Sequence, residues 1–185
     1  MSEHSGEQDT ELRILVTGDR EWMNKQIIHD VLSVAIKWVS CQLTAERLRF
    51  PSNVSTVTII NGACRGADKL STEVCEMLRA EFANSNIAIE PKEFPADWAG
   101  KGRAAGPIRN AEMAKQNPHI VAAFHNDITK SRGTKDMLKR VLNKVQLIIL
   151  STGKDITLFI RDDKLISDRV RQMSALETLL KESNI

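Results

Sequence analysis

Three apolar runs in this chain each end in a polar turn carrying a glycine and an arginine. Ile14-Leu15-Val16 leads into Thr17-Gly18-Asp19-Arg20, and Val57-Thr58-Ile59-Ile60 leads into Asn61-Gly62-Ala63-Cys64-Arg65-Gly66-Ala67-Asp68. Ile120-Val121-Ala122-Ala123-Phe124-His125 leads into a polar stretch ending in Arg132-Gly133-Thr134-Lys135-Asp136. A buried strand followed by a glycine turn that opens a helix is a phosphate-binding device. Helix N-terminal amides face the anion, and glycine lets the backbone approach it. A nucleotide-type ligand is therefore the leading expectation. Its expected contacts are Thr17, Gly18 and Arg20 from the first turn, Asn61, Gly62, Arg65, Gly66 and Asp68 from the second, and Gly133 and Thr134 from the third.

Each turn also has a plainer reading. The first could be a strand-to-helix turn with solvated charges, and it lacks the full G-x-G-x-x-G fingerprint. The second is not a P-loop, because no Gly-Lys-[Ser/Thr] follows; Asp68, in a first helical turn, is either a cap or an acceptor for a sugar hydroxyl. Thr134 could be a helix N-cap as well as a phosphate contact.

A fourth stretch, Asp97 to Asn110, gathers Lys101, Arg103 and Arg109 with three glycines and Trp98. Such a loop could cover an anionic ligand through Arg103, Arg109 and Asn110. Trp98 would either stack on a base or pin the loop to the core. Arg109 stands at the expected start of a helix, where a cation is unfavourable unless an anion is bound nearby. His125 ends an expected strand at the ligand edge, and Cys64 lies inside a glycine loop. No His/Asp/Glu cluster has metal-ligand spacing, so neither a resident metal nor a cofactor is expected.

These turns need a frame to hold them together. Residues 12–17 read as a strand buried on both faces, 24–40 as a helix, 43–48 as a short helix, and 56–60 as a β-branched strand. Then follow a helix over 66–83, a strand over 87–90, a polar loop over 93–103, a helix over 107–116, a strand over 119–125, a helix over 133–143 and a strand over 145–150. Residues 1–11 read as a disordered lead-in. Residues 151–185 read as an extension with a strand at Ile156–Ile160 and a helix at Asp168–Leu180. Alternating strands and helices predict an α/β, Rossmann-like, mostly parallel sheet flanked by helices over residues 12–150, with ligands at the carboxyl ends of the strands.

Composition narrows the partners. A formal charge of +2 over 185 residues gives no reason for bulk binding to DNA or to a membrane surface. Five Phe, three Trp and no Tyr are few for a single-strand stacking platform. Three widely spaced cysteines without C-x-x-C fit a reducing compartment. No apolar run reaches the roughly 20 residues of a membrane span, and the polar, acidic N-terminus is unlike a signal peptide. A cytoplasmic protein is expected.

The residues also carry a resemblance. Arg13 to Trp22, Ile60 to Asp68, Phe94 to Trp98, Gly106 to Met113 and Arg132 to Met137, in that order, resemble the YspA-type branch of the SLOG superfamily. More distantly the chain is similar to the lysine-decarboxylase-like LOG proteins and to the DNA-processing protein DprA. The resemblance implies a Rossmann-like fold, nucleotide or nucleotide-derived ligands held for sensing or sequestration, and a homodimer or larger oligomer. LOG proteins hydrolyse the N-glycosidic bond of nucleoside monophosphates, which makes a phosphoribohydrolase the alternative. Their catalytic arginine, before a Met-containing helix, matches Arg109. Their Pro-Gly-Gly-x-Gly-Thr-x-x-Glu matches only at Gly133-Thr134, because the Glu position holds Met137 and Asp136 stands one residue early. A carboxylate one helical position off points about 100° away. The catalytic candidates are then Arg109, Asp136 and Asp68. A DprA-like role in binding single-stranded DNA is disfavoured by the charge balance.

Overall fold

A computed structural model describes residues 10–40, 50–51, 53–160 and the backbone of 170–172. In chain order they form β1 (Glu11–Gly18), α1 (Lys25–Ser40), β2 (Thr56–Asn61), α2 (Ala67–Glu81), β3 (Ala88–Glu93), α3 (Trp98–Lys101), a 3-10 turn (Gly102–Ala104) and α4 (Ala105–Ala114). Then come β4 (Ile120–Phe124), a second 3-10 turn (Ile128–Lys130), α5 (Arg132–Val141), β5 (Leu147–Ser151), β6 (Ile156–Ile160) and β7 (Val170–Gln172). The strands make one sheet in the order β3-β2-β1-β4-β5-β6-β7. Every neighbouring pair is parallel except β5–β6, which is antiparallel. The expected Rossmann-like α/β architecture is the one observed. Among the described residues no helix is long and apolar enough to cross a membrane.

The continuous apolar strands have a physical reason. Leu12, Ile14 and Val16 of β1 turn to one side, with Ile120, Ala122 and Phe124 of β4, and pack against Ile28, Leu32 and Ile36 of α1 and Val74 and Leu78 of α2. Leu15, Val121, Ala123, Ile148 and Leu150 turn to the other side, against Met113 of α4 and Met137, Leu138 and Val141 of α5. Both faces are covered, so the strands read as unbroken apolar runs rather than alternating ones. Each such side chain, fully buried, contributes roughly 1.5–3 kcal/mol.

Several boundaries differ from the sequence reading. β1 opens at Glu11, whose Cα pairs with Thr56, inside the stretch expected as lead-in. β3 runs on to Glu93 through Pro91; an edge strand tolerates the missing amide. The expected loop over 93–103 contains α3, capped by the Asp97 carboxylate accepting from the Gly100 amide at 2.8 Å. The expected helix at 168–180 is wrong at Val170–Gln172, which pair with Leu158–Ile160 as β7. The unpaired groups along the edge of β6 offer that segment a ladder that its own helical pattern did not reveal. The remainder of that helix, the short helix at 43–48 and Cys41 lie outside the described residues.

Candidate functional site

The strand order places the site. The chain builds β1, β2 and β3 outward in one direction, then returns to set β4 on the other side of β1. Loops leaving β1 and β4 diverge there and open a crevice at the carboxyl ends of the strands. A cleft of about 340 Å³ occupies this position.

Its floor is made by β1. The Asp19 amide donates to the Phe124 carbonyl at 2.8 Å, and the Asp19 carbonyl accepts from Ala67 at 3.1 Å, which ties the ends of β1, β4 and α2 together. Gly18 sits where this junction is tightest: a Cβ there would stand 2.6 Å from the Ala67 Cβ and would overlap the Phe124 carbonyl. Gly18→Ala is expected to cost about 1–3 kcal/mol by overpacking, read as a lower urea midpoint. Gly66, at φ 77°, lies against the Asp19 and Arg20 backbone and permits the turn into α2.

Ten of the fifteen expected ligand contacts line the cleft. Thr17, Gly18 and Arg20 come from the β1 end, and Arg65 and Asp68 from the loop after β2 and the start of α2. Arg109 and Asn110 come from α4, His125 follows β4, and Gly133 and Thr134 open α5. The other five stand elsewhere. Asn61 is buried beneath the loop, its Oδ1 accepting from the Ala63 amide and its amide group donating to Thr72. Gly62 and Gly66 shape the loop from behind. Arg103 is exposed beyond the cleft, and Trp98, half-exposed, stacks on the Arg20 guanidinium at 5.8 Å rather than facing in.

Arg109 is placed differently from its expected setting. α4 begins at Ala105, so Arg109 is a mid-helix residue, and its charge is answered inside the protein. Its guanidinium donates to the Gly62 carbonyl and, through Nε, to Asn110 Oδ1 at 3.0 Å, and lies 3.8 Å from Asp68 Oδ2. A Cβ on Gly62 would overlap the guanidinium, which is why this position is glycine. Asp68 is itself buried; its Oδ2 accepts a long 3.4 Å bond from the Cys64 amide, and the Gly62 amide also donates to its carboxylate. Burial pushes its carboxyl up to about 6, against the opposing pull of Arg109.

The third turn also differs. α5 starts at Arg132, and Ser131, not Thr134, is its N-cap: Ser131 Oγ accepts from the Thr134 amide at 3.0 Å. Thr134 thus sits in the first turn, where its hydroxyl Oγ1 is buried without any hydrogen-bond partner. Gly133 has open space where a Cβ would stand, so internal packing does not demand a glycine. Asp136 is turned away from the cleft, accepting from Asn110 Nδ2 at 2.9 Å and Arg140 Nε at 2.8 Å. Met137, at the glutamate position of the LOG pattern, is fully buried in the core.

His125 accepts the Asp127 amide on Nδ1 at 3.0 Å, so its neutral ring carries the proton on Nε2, 3.9 Å from Asp19 Oδ2. Asp19, Glu21, Cys64, Lys130 and Ser131 complete the lining; Glu21, Lys130 and Ser131 were not singled out from the sequence. Ser131 carried a legible signal, since a serine directly before a helical pattern is a preferred N-cap. Lys130 and Glu21 carried none, because surface charges beside a turn are common everywhere. Among the described residues no group of three His, Cys, Asp or Glu side chains could hold a metal ion.

Fold and cleft together define a doubly wound, Rossmann-like protein with a polar crevice at its topological switch point. No family model matches the chain, and no solved structure matches it. It is similar to the "Gene 61 protein" of Mycobacterium phage D29, 28% identical over 141 residues that cover 76% of this chain and 96% of the relative.

Proposed function

We propose that the cleft binds a nucleotide or nucleotide-derived ligand, as a sensor or sequestering protein of the YspA-type branch of the SLOG superfamily. One observation carries the reading. Thr134 Oγ1 is a buried hydroxyl with no partner, at the cleft-lining start of a ten-residue helix. Buried polar groups in folded proteins are nearly always satisfied. A phosphate at this N-terminus would satisfy the hydroxyl and meet the positive end of the helix dipole. The open space at Gly133 favours the same occupant; the Lys130 ammonium also lines this end, paired with Asp127 at 3.1 Å.

Binding is favoured over N-glycosidic hydrolysis by two observations. Asp136 is engaged with Asn110 and Arg140, and the adjacent Met137 is core. Asp68, the remaining carboxylate candidate, faces the cleft, and the assay for free base reads any hydrolysis it supports. The cleft volume suits a ligand of nucleoside-monophosphate size better than an extended nucleic-acid strand.

The test is a thermal-shift panel of nucleotides, cyclic nucleotides, NAD and ADP-ribose, each hit then assayed for free base. Stabilisation by a hit recovered intact is the expected result. Released base would establish the hydrolase instead, and a panel without any shift would overturn the reading. Thr134→Val separates stability from binding. It is expected to raise folding stability by about 1 kcal/mol, because it removes an unsatisfied buried hydroxyl, while abolishing most of the ligand-induced shift. We propose self-association as part of the same reading; the mass in solution, read by light scattering, should be at least twice the 20.7 kDa of one chain.

A further inference from the structure

The two ends of the cleft differ in where their carboxylates stand. At the α5 end the lining groups are Thr134, Ser131, Gly133 and Lys130, with no carboxylate among them. At the β1–β2 end Asp19, Glu21 and Asp68 line the cleft together with Arg20, Arg65 and Arg109, and Asp68 is the most buried of the three carboxylates, with a side-chain exposure of 10%. A phosphate set against Asp68 would meet a like charge with little water to screen it. A hydroxyl there would instead donate a hydrogen bond to it.

Asp68 has room for such a donor. A carboxylate offers about four acceptor sites. Its Oδ2 takes the Cys64 amide at a long 3.4 Å, and the Arg109 guanidinium stays at 3.8 Å, beyond hydrogen-bond reach. The Gly62 amide is its other backbone donor; burial outweighs these partners and the Arg109 and Arg20 charges and raises its carboxyl to about 6, and acceptor sites remain for a further donor. Asp19 adds a neighbouring acceptor, its Oδ1 already taken by the Glu21 amide at 3.0 Å and its Oδ2 left 3.9 Å from His125.

Resting on the phosphate reading above, we propose that Asp68 is a specificity-determining residue that accepts hydrogen bonds from vicinal sugar hydroxyls. The favoured ligand is then a ribosyl phosphomonoester lying along the cleft, with its phosphate at α5 and its free diol at α2. The 2-deoxy analogue leaves Asp68 under-bonded and binds more weakly.

The test uses three base-free probes on the full chain at pH 8: inorganic phosphate, ribose 5-phosphate and 2-deoxyribose 5-phosphate, with affinities from titration calorimetry. Wild type is expected to bind ribose 5-phosphate about tenfold or more tighter than its deoxy analogue, the scale of a hydrogen bond to a charged group. In Asp68→Asn that ratio should fall toward one, while inorganic phosphate binds as well or better because a negative charge has gone. Equal affinity of wild type for the two sugar phosphates would overturn the inference without any variant. So would a preference kept in folded Asp68→Asn. If neither inorganic phosphate nor a sugar phosphate binds, the phosphate reading itself falls, and the inference with it.

Discussion

Arg109→Ala is expected to lower folding stability by about 3 kcal/mol at pH 8, the scale on which a buried charge left without its partner destabilises a fold. The side chain is 12% exposed and, besides a 3.7 Å contact with Cys64 Sγ, holds three polar partners at once. It donates to the Gly62 carbonyl, donates to Asn110 Oδ1 and faces the Asp68 carboxylate. Truncation leaves all three without that partner in a site where water enters poorly. The loss should shrink at pH 5, because Asp68 then takes up a proton and no longer needs the cation. Urea unfolding at the two pH values measures both effects; midpoints equal to wild type at both would show that the brace contributes nothing. Arg109→Lys keeps the charge without the planar fork and should recover only part of the loss. In the folded variant, affinity for the thermal-shift hits is expected to fall by about 1.5–3 kcal/mol if the guanidinium also touches the ligand. Unchanged affinity would confine Arg109 to holding the loop.

The second large effect is the pH dependence that Asp68 imposes. Its carboxyl is raised in the folded protein from 3.8 to about 6, first by burial. Between those values the native state binds more protons than the unfolded chain. Stability from this group is therefore fully present below pH 3.8 and is lost as pH rises through about 6. The whole span corresponds to roughly 3 kcal/mol, of which about 1 kcal/mol falls between pH 5 and pH 8. Asp68→Asn should remove this component. The stability difference between pH 5 and pH 8 would then be smaller in the variant by about that amount. A pH dependence identical in both proteins would mean that Asp68 does not titrate in this window. A ligand that donates hydroxyls to Asp68 should flatten the wild-type dependence as well, because it favours the ionised form.

Other charged contacts contribute little by comparison. Glu21 pairs with Arg65, but both side chains are about 70% exposed, so water and salt screen the pair. Glu81 gathers Ser33, Lys37 and His29 at the α1–α2 seam, which holds its carboxyl below the usual range and clamps two helices far from the cleft. Neither competes with the Arg109–Asp68 core of the site as a target for mutation.

What the amino-acid sequence determined by itself was the frame. Unbroken apolar runs such as Leu147 to Leu150, too short for membrane spans and separated by helical periodicity, admit few arrangements other than a sheet covered on both faces. Glycine turns after β1 and β2 and before α5 pointed to the carboxyl edge of the sheet; Gly66, at φ 77°, answers local chain geometry, whereas Gly18 answers the close approach of Phe124 and Ala67. Tertiary packing decided the rest. Whether Arg109 meets an anion or an internal carboxylate depends on α4 crossing the loop after β2, 47 residues away in sequence from Gly62. Whether Trp98 faces a base or Arg20 depends on how α3 lies over the β1 end. Val170–Gln172 became a strand because an open sheet edge was available, a long-range hydrogen-bonding demand that no local pattern records. The unpartnered hydroxyl of Thr134, which carries the functional reading, is a product of tertiary packing at the start of α5, where Ser131 one turn earlier accepts from the Thr134 amide. Short-range preference fixes which residues can turn or extend, whereas partners and burial arise only when distant segments share one surface.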